Sequence, residues 1–188
     1  MNKKTFTLIE VIITLAISII IILTLSNLYF TGSELEQISN IKTELETTGR
    51  IALDIMTNEL KNTTRTSSQN PSPNVTITSG PNQKQLRLYL PETDSEGNVV
   101  VDEDGEIIWD TNNPIHYQYI PGQKELRRLE GGEQRIICSN VSDVDFSDIT
   151  LDNSLYINEI KITLTLSKNT PTQREVSVTL TSLVKLRN

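Results

Sequence analysis

Histidine and cysteine each occur once in 188 residues, as His116 and Cys138. One cysteine excludes an internal disulfide framework and any CxxC metal knuckle. One histidine argues against a histidine-based zinc site or a histidine relay. Bases are scarce too: 17 Lys+Arg against 24 Asp+Glu give a formal charge of −7 and a pI near 4.8. Nucleic acid is therefore not expected as the main partner, because binding phosphates needs a clustered positive surface. No Walker A, GxSxG, HExxH or Rossmann pattern occurs, so neither catalysis nor a cofactor is expected. Apolar residues make up only 36% and are unevenly spread. Eighteen of the 25 residues from Phe6 to Phe30 are apolar. The rest of the chain falls below a third, against roughly 45–50% in soluble domains with Gly included. Outside the oily stretch the length allows one domain of ordinary size.

The oily stretch contains one charge, Glu10, and nothing else that ionises as a charge between Lys4 and Glu34. Its length suits a helix crossing a bilayer, which takes about 20 predominantly apolar residues. Lys3 and Lys4 precede it, and Glu34 and Glu36 follow. The positive-inside rule then puts the N-terminus in the cytoplasm and the C-terminal part outside. A cleavable secretory signal has a shorter apolar core and a small-residue cleavage site; here the options Ala16-Ile17-Ser18 and Thr24-Leu25-Ser26 fit that pattern poorly. A plain signal anchor fits the length but gives Glu10 no role beyond snorkelling, whereas intramembrane acids usually have a partner or a function.

A third reading comes from Lys3-Lys4-Thr5-Phe6-Thr7-Leu8-Ile9-Glu10-Val11. This run resembles the class III signal of type IV pilins and type II secretion pseudopilins, in which a short basic leader precedes a Phe-Thr-Leu-Ile-Glu motif and a long apolar helix. The resemblance implies cleavage by a prepilin peptidase between Thr5 and Phe6 and methylation of the new Phe6 amine. It also implies that Glu10, then the fifth mature residue, pairs with the N-terminal amine of a neighbouring subunit. Such a pair in low dielectric attracts far more strongly than in water, and leaving one partner alone is costly, so it serves register. The family has Gly before the cut, less often Ala or Ser. Here the β-branched Thr5 stands there, and slower or blocked processing is expected.

Beyond the span, Gly32 and Ser33 interrupt the apolar pattern and predict a bend or loosened turn. Apolar residues then recur at helical spacing: Leu35, Ile38, Ile41 and Leu45, followed by Ala52, Ile55, Met56 and Leu60. Polar residues lie between them, giving an amphipathic helix. Continuous from Phe6 to about Asn62, it would be roughly 85 Å long at 1.5 Å per residue. Residues 69–82 read as loop with a short strand at 75–78. Period-two alternation follows at Leu86, Leu88 and Leu90. Residues 99–101 and 107–109 flank a turn at 102–106. Residues 115–120 and 126–129 flank Pro121-Gly122-Gln123-Lys124, a hairpin turn. The clearest pair is Ile160, Ile162, Leu164 and Leu166 with Val176, Val178 and Leu180, joined by the loop 167–175.

The expected fold is α+β: a long N-terminal helix whose outer half packs its apolar stripe on an antiparallel sheet. The expected organisation is a leader at 1–5, an apolar transmembrane and assembly half at 6–30, an amphipathic outer half at 31–66, and a β-rich extracytoplasmic domain at 67–188. With the segment from Arg50 to Lys61, this layout resembles the larger minor pilins and J-type minor pseudopilins. The implied partners are other pilin or pseudopilin subunits, the prepilin peptidase, the inner-membrane platform protein, its ATPase, and membrane lipid before assembly. The implied location is a bacterial cytoplasmic membrane, then a surface filament. The alternative is a single-pass anchored binding module, adhesin-like, outside any filament.

The acidic stretch 92–110 offers the one metal candidate. Glu92, Asp94, Glu96, Gly97, Asn98 and Glu103 fall near positions 1, 3, 5, 6, 7 and 12 of a calcium-loop pattern. Against it, Glu replaces Asp at two of these positions and strands, not helices, flank the loop; a solvated hairpin with polar turns is the favoured reading. Cys138 lies in an apolar run and reads as a buried, inert thiol. His116 reads as a strand residue on a half-buried face. Trp109, Tyr117 and Tyr119 suit either sheet packing or an exposed binding patch. The sequons at Asn62, Asn74 and Asn140 matter only in a glycosylating pathway.

Overall fold

A computed structural model describes residues 7–64, 74–80 and 83–187. Among the described residues one helix, α1 (Leu8–Lys61), precedes eight strands and a 3-10 turn. Thr5, Phe6 and residues 65 and 66 lie outside the described residues. Contacts divide the chain into Met1–Ile41 and Lys42–Asn188, with the boundary inside α1. In the first unit, every large apolar side chain from Leu8 to Phe30 is exposed. This is a helix long and apolar enough to cross a membrane. The interruption expected at Gly32 and Ser33 does not break the helix, which continues through both. A single Gly costs a helix only about 1 kcal/mol against Ala, and strong helix on both sides carries the chain through it.

The second unit is α+β. The named strands all pair antiparallel, as expected, but they form two sheets rather than one, and one isolated parallel bridge joins Thr64 to Arg187. The first has the order β1 (Val75–Gly80), β2 (Gln83–Leu88), β3 (Ile115–Ile120), β4 (Glu125–Glu130), β5 (Glu133–Ser139). The second is β6 (Val141–Ser147), β7 (Glu159–Asn169), β8 (Glu175–Lys185). The β3–β4 turn is a 3-10 turn at Pro121–Gln123, closed by Lys124 at φ 53°. The β7–β8 hairpin is the longest pairing, eleven positions from Glu159↔Lys185 to Asn169↔Glu175.

The outer part of α1 spans both sheets. Its buried residues are Leu45, Gly49, Ala52, Leu53, Met56 and Leu60, at spacings that keep one face inward. Leu35, expected in the stripe, is exposed instead. Gly49 marks the closest approach to the second sheet. A Cβ there would lie 2.6 Å from Leu180 Cδ1 and 2.9 Å from Leu166 Cδ1. Polar contacts tie the same sheet: Lys168 Nζ lies 2.8 Å from Glu44 Oε2, and the Thr57 and Ser182 hydroxyls are 3.3 Å apart. The first sheet is held at Glu59, which accepts from Arg128 Nε at 2.9 Å and from the Tyr117 hydroxyl. Arg128 also reaches Glu130 at 2.6 Å. Burial and the Glu59 charge push the Tyr117 hydroxyl well above its ordinary range, so it stays a neutral donor. Leu86, Leu88, Ile115, Tyr117, Phe146, Ile160, Ile162 and Leu164 complete the core beneath the helix.

Candidate functional site

The candidate assembly surface is the first turns of α1. Thr7 precedes the helix, and both its backbone N–H (2.9 Å) and its hydroxyl (3.0 Å) donate to Glu10 Oε2. Glu10 therefore sits at the third helical position and reaches back to the capping residue, one half of a capping box. The S/T-x-x-E signature of that box is legible in Thr7-Leu8-Ile9-Glu10, within the same residues as the signal-like motif. It gives Glu10 a local role in starting the helix, separate from any role toward a neighbour.

The side of the helix beginning at Glu10 is polar at four-residue spacing. The Thr14 hydroxyl donates to the Glu10 carbonyl at 2.7 Å, and the Ser18 hydroxyl donates to the Thr14 carbonyl at 2.8 Å. Thr24 does the same to Ile20. These three hydroxyls are thus satisfied within their own helix, which removes most of the cost of placing them in hydrocarbon. Beside this line a shallow groove is lined by Val11, Thr14, Leu15 and Ser18. Small polar side chains there let a second helix approach closely.

The other candidates resolve as structure. Asp94 Oδ1 accepts from the backbone N–H of Glu96 and of Asn98, both at 2.9 Å. Asp102 Oδ1 accepts from Asp104 at 3.0 Å and Glu106 at 2.8 Å in the same way. Gly97 (φ 85°) and Gly105 (φ 81°) take the left-handed position in each turn. The calcium-loop residues thus form two successive Asp-capped turns eight residues apart, joined through the bridges Thr93↔Val99 and Val101↔Ile107. Among the described residues no three His, Cys, Asp or Glu side chains gather as metal ligands, so Glu92, Asp94, Glu96, Asn98 and Glu103 are not brought to one point. Hydrogen bonds from Asn98 and Glu96 hold the Asp94 carboxyl below its ordinary range.

Trp109, Tyr117 and Tyr119 are all under a tenth exposed, so they pack the sheet and form no surface patch. Cys138 is buried, and burial pushes its thiol up to about 11. His116 is half-buried on β3, with Nδ1 2.6 Å from Gln85 Nε2. Three-way comparison with protein-family models, curated proteins and solved structures finds no match to this chain.

Proposed function

We propose that the chain is a minor pilin or pseudopilin subunit, built through its N-terminal helix into a type IV pilus, a type II secretion pseudopilus or a competence filament. Its role is structural: it initiates, caps or modulates a filament of stacked apolar helices. One observation carries the reading: Lys3-Lys4-Thr5-Phe6-Thr7-Leu8-Ile9-Glu10 leads into a helix whose large apolar side chains are exposed from Leu8 to Phe30 and whose outer part is packed. Such a surface requires another environment, lipid before assembly and like helices after it. Both Thr7 bonds go to Glu10 Oε2, so the capping box and a bond from a neighbour's Phe6 amine to Oε1 are compatible. The partners on this reading are other pilin or pseudopilin subunits, the prepilin peptidase, the platform protein and its ATPase.

Mass spectrometry of the mature N-terminus, with and without the prepilin peptidase, tests the proposal. N-methyl-Phe6 formed only with the peptidase supports it. Cleavage at Asn27 would replace it with a secretory signal, and retained Met1 together with absence from filaments would replace it with an anchored module.

A further inference from the structure

Leu88 and Ile115 are paired neighbours on β2 and β3, so residues 89–114 are an insertion into one hairpin. Three bridges fold it: Pro91↔Trp109, Thr93↔Val99 and Val101↔Ile107. Main-chain bonds close a ring at eight-residue spacing. The Glu92 N–H donates to the Ile108 carbonyl at 2.8 Å, the Val100 N–H to the Glu92 carbonyl at 2.9 Å, and the Ile108 N–H to the Val100 carbonyl at 3.0 Å. Bridged residues share a face, and so do residues two apart along a strand. Pro91, Thr93, Val99, Val101, Ile107 and Trp109 therefore lie on one side of the insertion, and Glu92, Val100 and Ile108 on the other. The first side is apolar apart from Thr93 and only partly covered. Trp109 is buried, but Val99 is 43% and Val101 52% exposed.

A groove of about 300 Å³ lies on this side, lined by Leu90, Pro91, Thr93 and Val99 of the insertion, by Asn62 just past α1 and by Arg187 just past β8. The charge around it is one-sided. Residues 92–110 hold eight of the 24 acids and none of the 17 bases. The rest of the chain is left with 16 acids against 17 bases, a net +1. Asp94 and Glu96 stand in the turn directly beyond Thr93↔Val99, and Asp102, Glu103, Asp104 and Glu106 in the turn beyond Val101↔Ile107. A second copy of the insertion or an anionic lipid surface would meet like charge there, so neither suits the groove. A partner that fills it with apolar groups and brings cations alongside is complementary on both counts.

We propose that this groove docks a basic, apolar peptide segment of a partner protein. An apolar side chain enters against Pro91 and Val99, and flanking Lys or Arg side chains face the two acidic turns. Arg187 is the one base among the lining residues, and it opposes those cations. This contact does not depend on assembly through the N-terminal helix.

The full chain in nanodiscs of zwitterionic lipid allows the test, read by calorimetric titration and by emission of the single Trp109. The probe is the capped peptide Lys-Lys-Leu-Leu-Lys-Lys, which has no tryptophan. It should bind with half-saturation below about 1 mM at low salt, and more weakly as salt rises. Lys-Lys-Ser-Ser-Lys-Lys and Glu-Glu-Leu-Leu-Glu-Glu should each bind about tenfold more weakly or worse. Glu96, Glu103 and Asp104 leave the turn-capping to Asp94 and Asp102. Glu96→Gln/Glu103→Gln/Asp104→Asn should therefore keep the turns and weaken binding about tenfold. Val99→Thr should weaken it about threefold, and Arg187→Gln should tighten it about twofold. No binding at about 1 mM peptide, or equal binding of the serine or the acidic peptide, would overturn the proposal. Residues 65–73 are the competing occupant, since they begin three positions after Asn62. Binding that appears only when they are replaced by Gly-Ser of equal length would assign the groove to the chain's own segment and overturn the proposal as well.

Discussion

Along α1, residues 8–30 expose every large apolar side chain, whereas Leu45, Ala52, Met56 and Leu60 are wholly buried on the same continuous helix. The difference lies in what surrounds each half, since backbone and propensity are shared. The outer half has a polar side and a matching pair of sheets, so its core is settled within one molecule. The inner half is apolar apart from a short polar line, with the hydroxyls of Thr14, Ser18 and Thr24 satisfied internally and a single carboxylate at its start. Among the described residues none of its large apolar side chains is covered. A surface of this kind suits lipid or other apolar helices.

Truncation separates the halves most strongly. Met56→Ala should lower the unfolding free energy of the second unit by about 2–5 kcal/mol, the range for emptying a closed core site. Leu23→Ala should leave it within about 0.5 kcal/mol. Trp109, the single tryptophan and buried in that unit, reports both by fluorescence during denaturant titration of the full chain. Equal losses from the two would erase the distinction.

A smaller effect is expected where the helix is fastened to the first sheet. Arg128 and Glu59 are each 19% exposed at their side chains, and removing Arg128 leaves Glu59 with only the Tyr117 donor. Arg128→Ala should cost about 1–3 kcal/mol, below the value for a fully buried pair because solvent still reaches both groups. A double-mutant cycle with Glu59→Gln measures it, and a coupling near zero would remove the ion pair as a fastening.

The smallest effect is a pH dependence. Burial, and secondarily the Arg87 guanidinium, hold His116 below its ordinary 6.5. The folded protein therefore takes up this proton at lower pH than the unfolded chain does. Stability from His116 is complete above about 6.5 and is lost as pH falls through the folded value. Protonation also sets Nδ1–H against the Gln85 amide. His116→Gln should flatten the fall in thermal midpoint between pH 7.5 and 5; an unchanged slope would assign it to other groups.

Much of this was legible from residues. The helix ends at Lys61, one residue from the expected end; β3, β7 and β8 follow the alternation of their apolar positions, and β4 follows from the turn at Pro121–Gln123 that precedes it. The strands that escaped notice did so for a physical reason. In β6 the buried residues Val141, Val144 and Phe146 lose period two because the register shifts between Val141 and Asp143. In β5 the adjacent Ile136 and Ile137 hide the pattern, and most of the strand is exposed. The division into two sheets depends on long-range pairing, which no local pattern carries. At the candidate site the motif was visible, and so was the Thr7–Glu10 capping box, once read as a helix start rather than as part of a signal.

That double role of Glu10 allows the most direct measurement of the central claim, that the exposed half of α1 is an assembly surface aligned by one carboxylate. Gln keeps a capping side chain at this position and removes the charge, while Ala removes both. The amount of each variant in sheared filaments, relative to that in the membrane fraction, is the quantity to measure. The account predicts that Glu10→Gln and Glu10→Ala both enter the membrane normally and are both depleted from filaments. Wild-type incorporation of Glu10→Gln would contradict it and leave Glu10 as a helix cap alone.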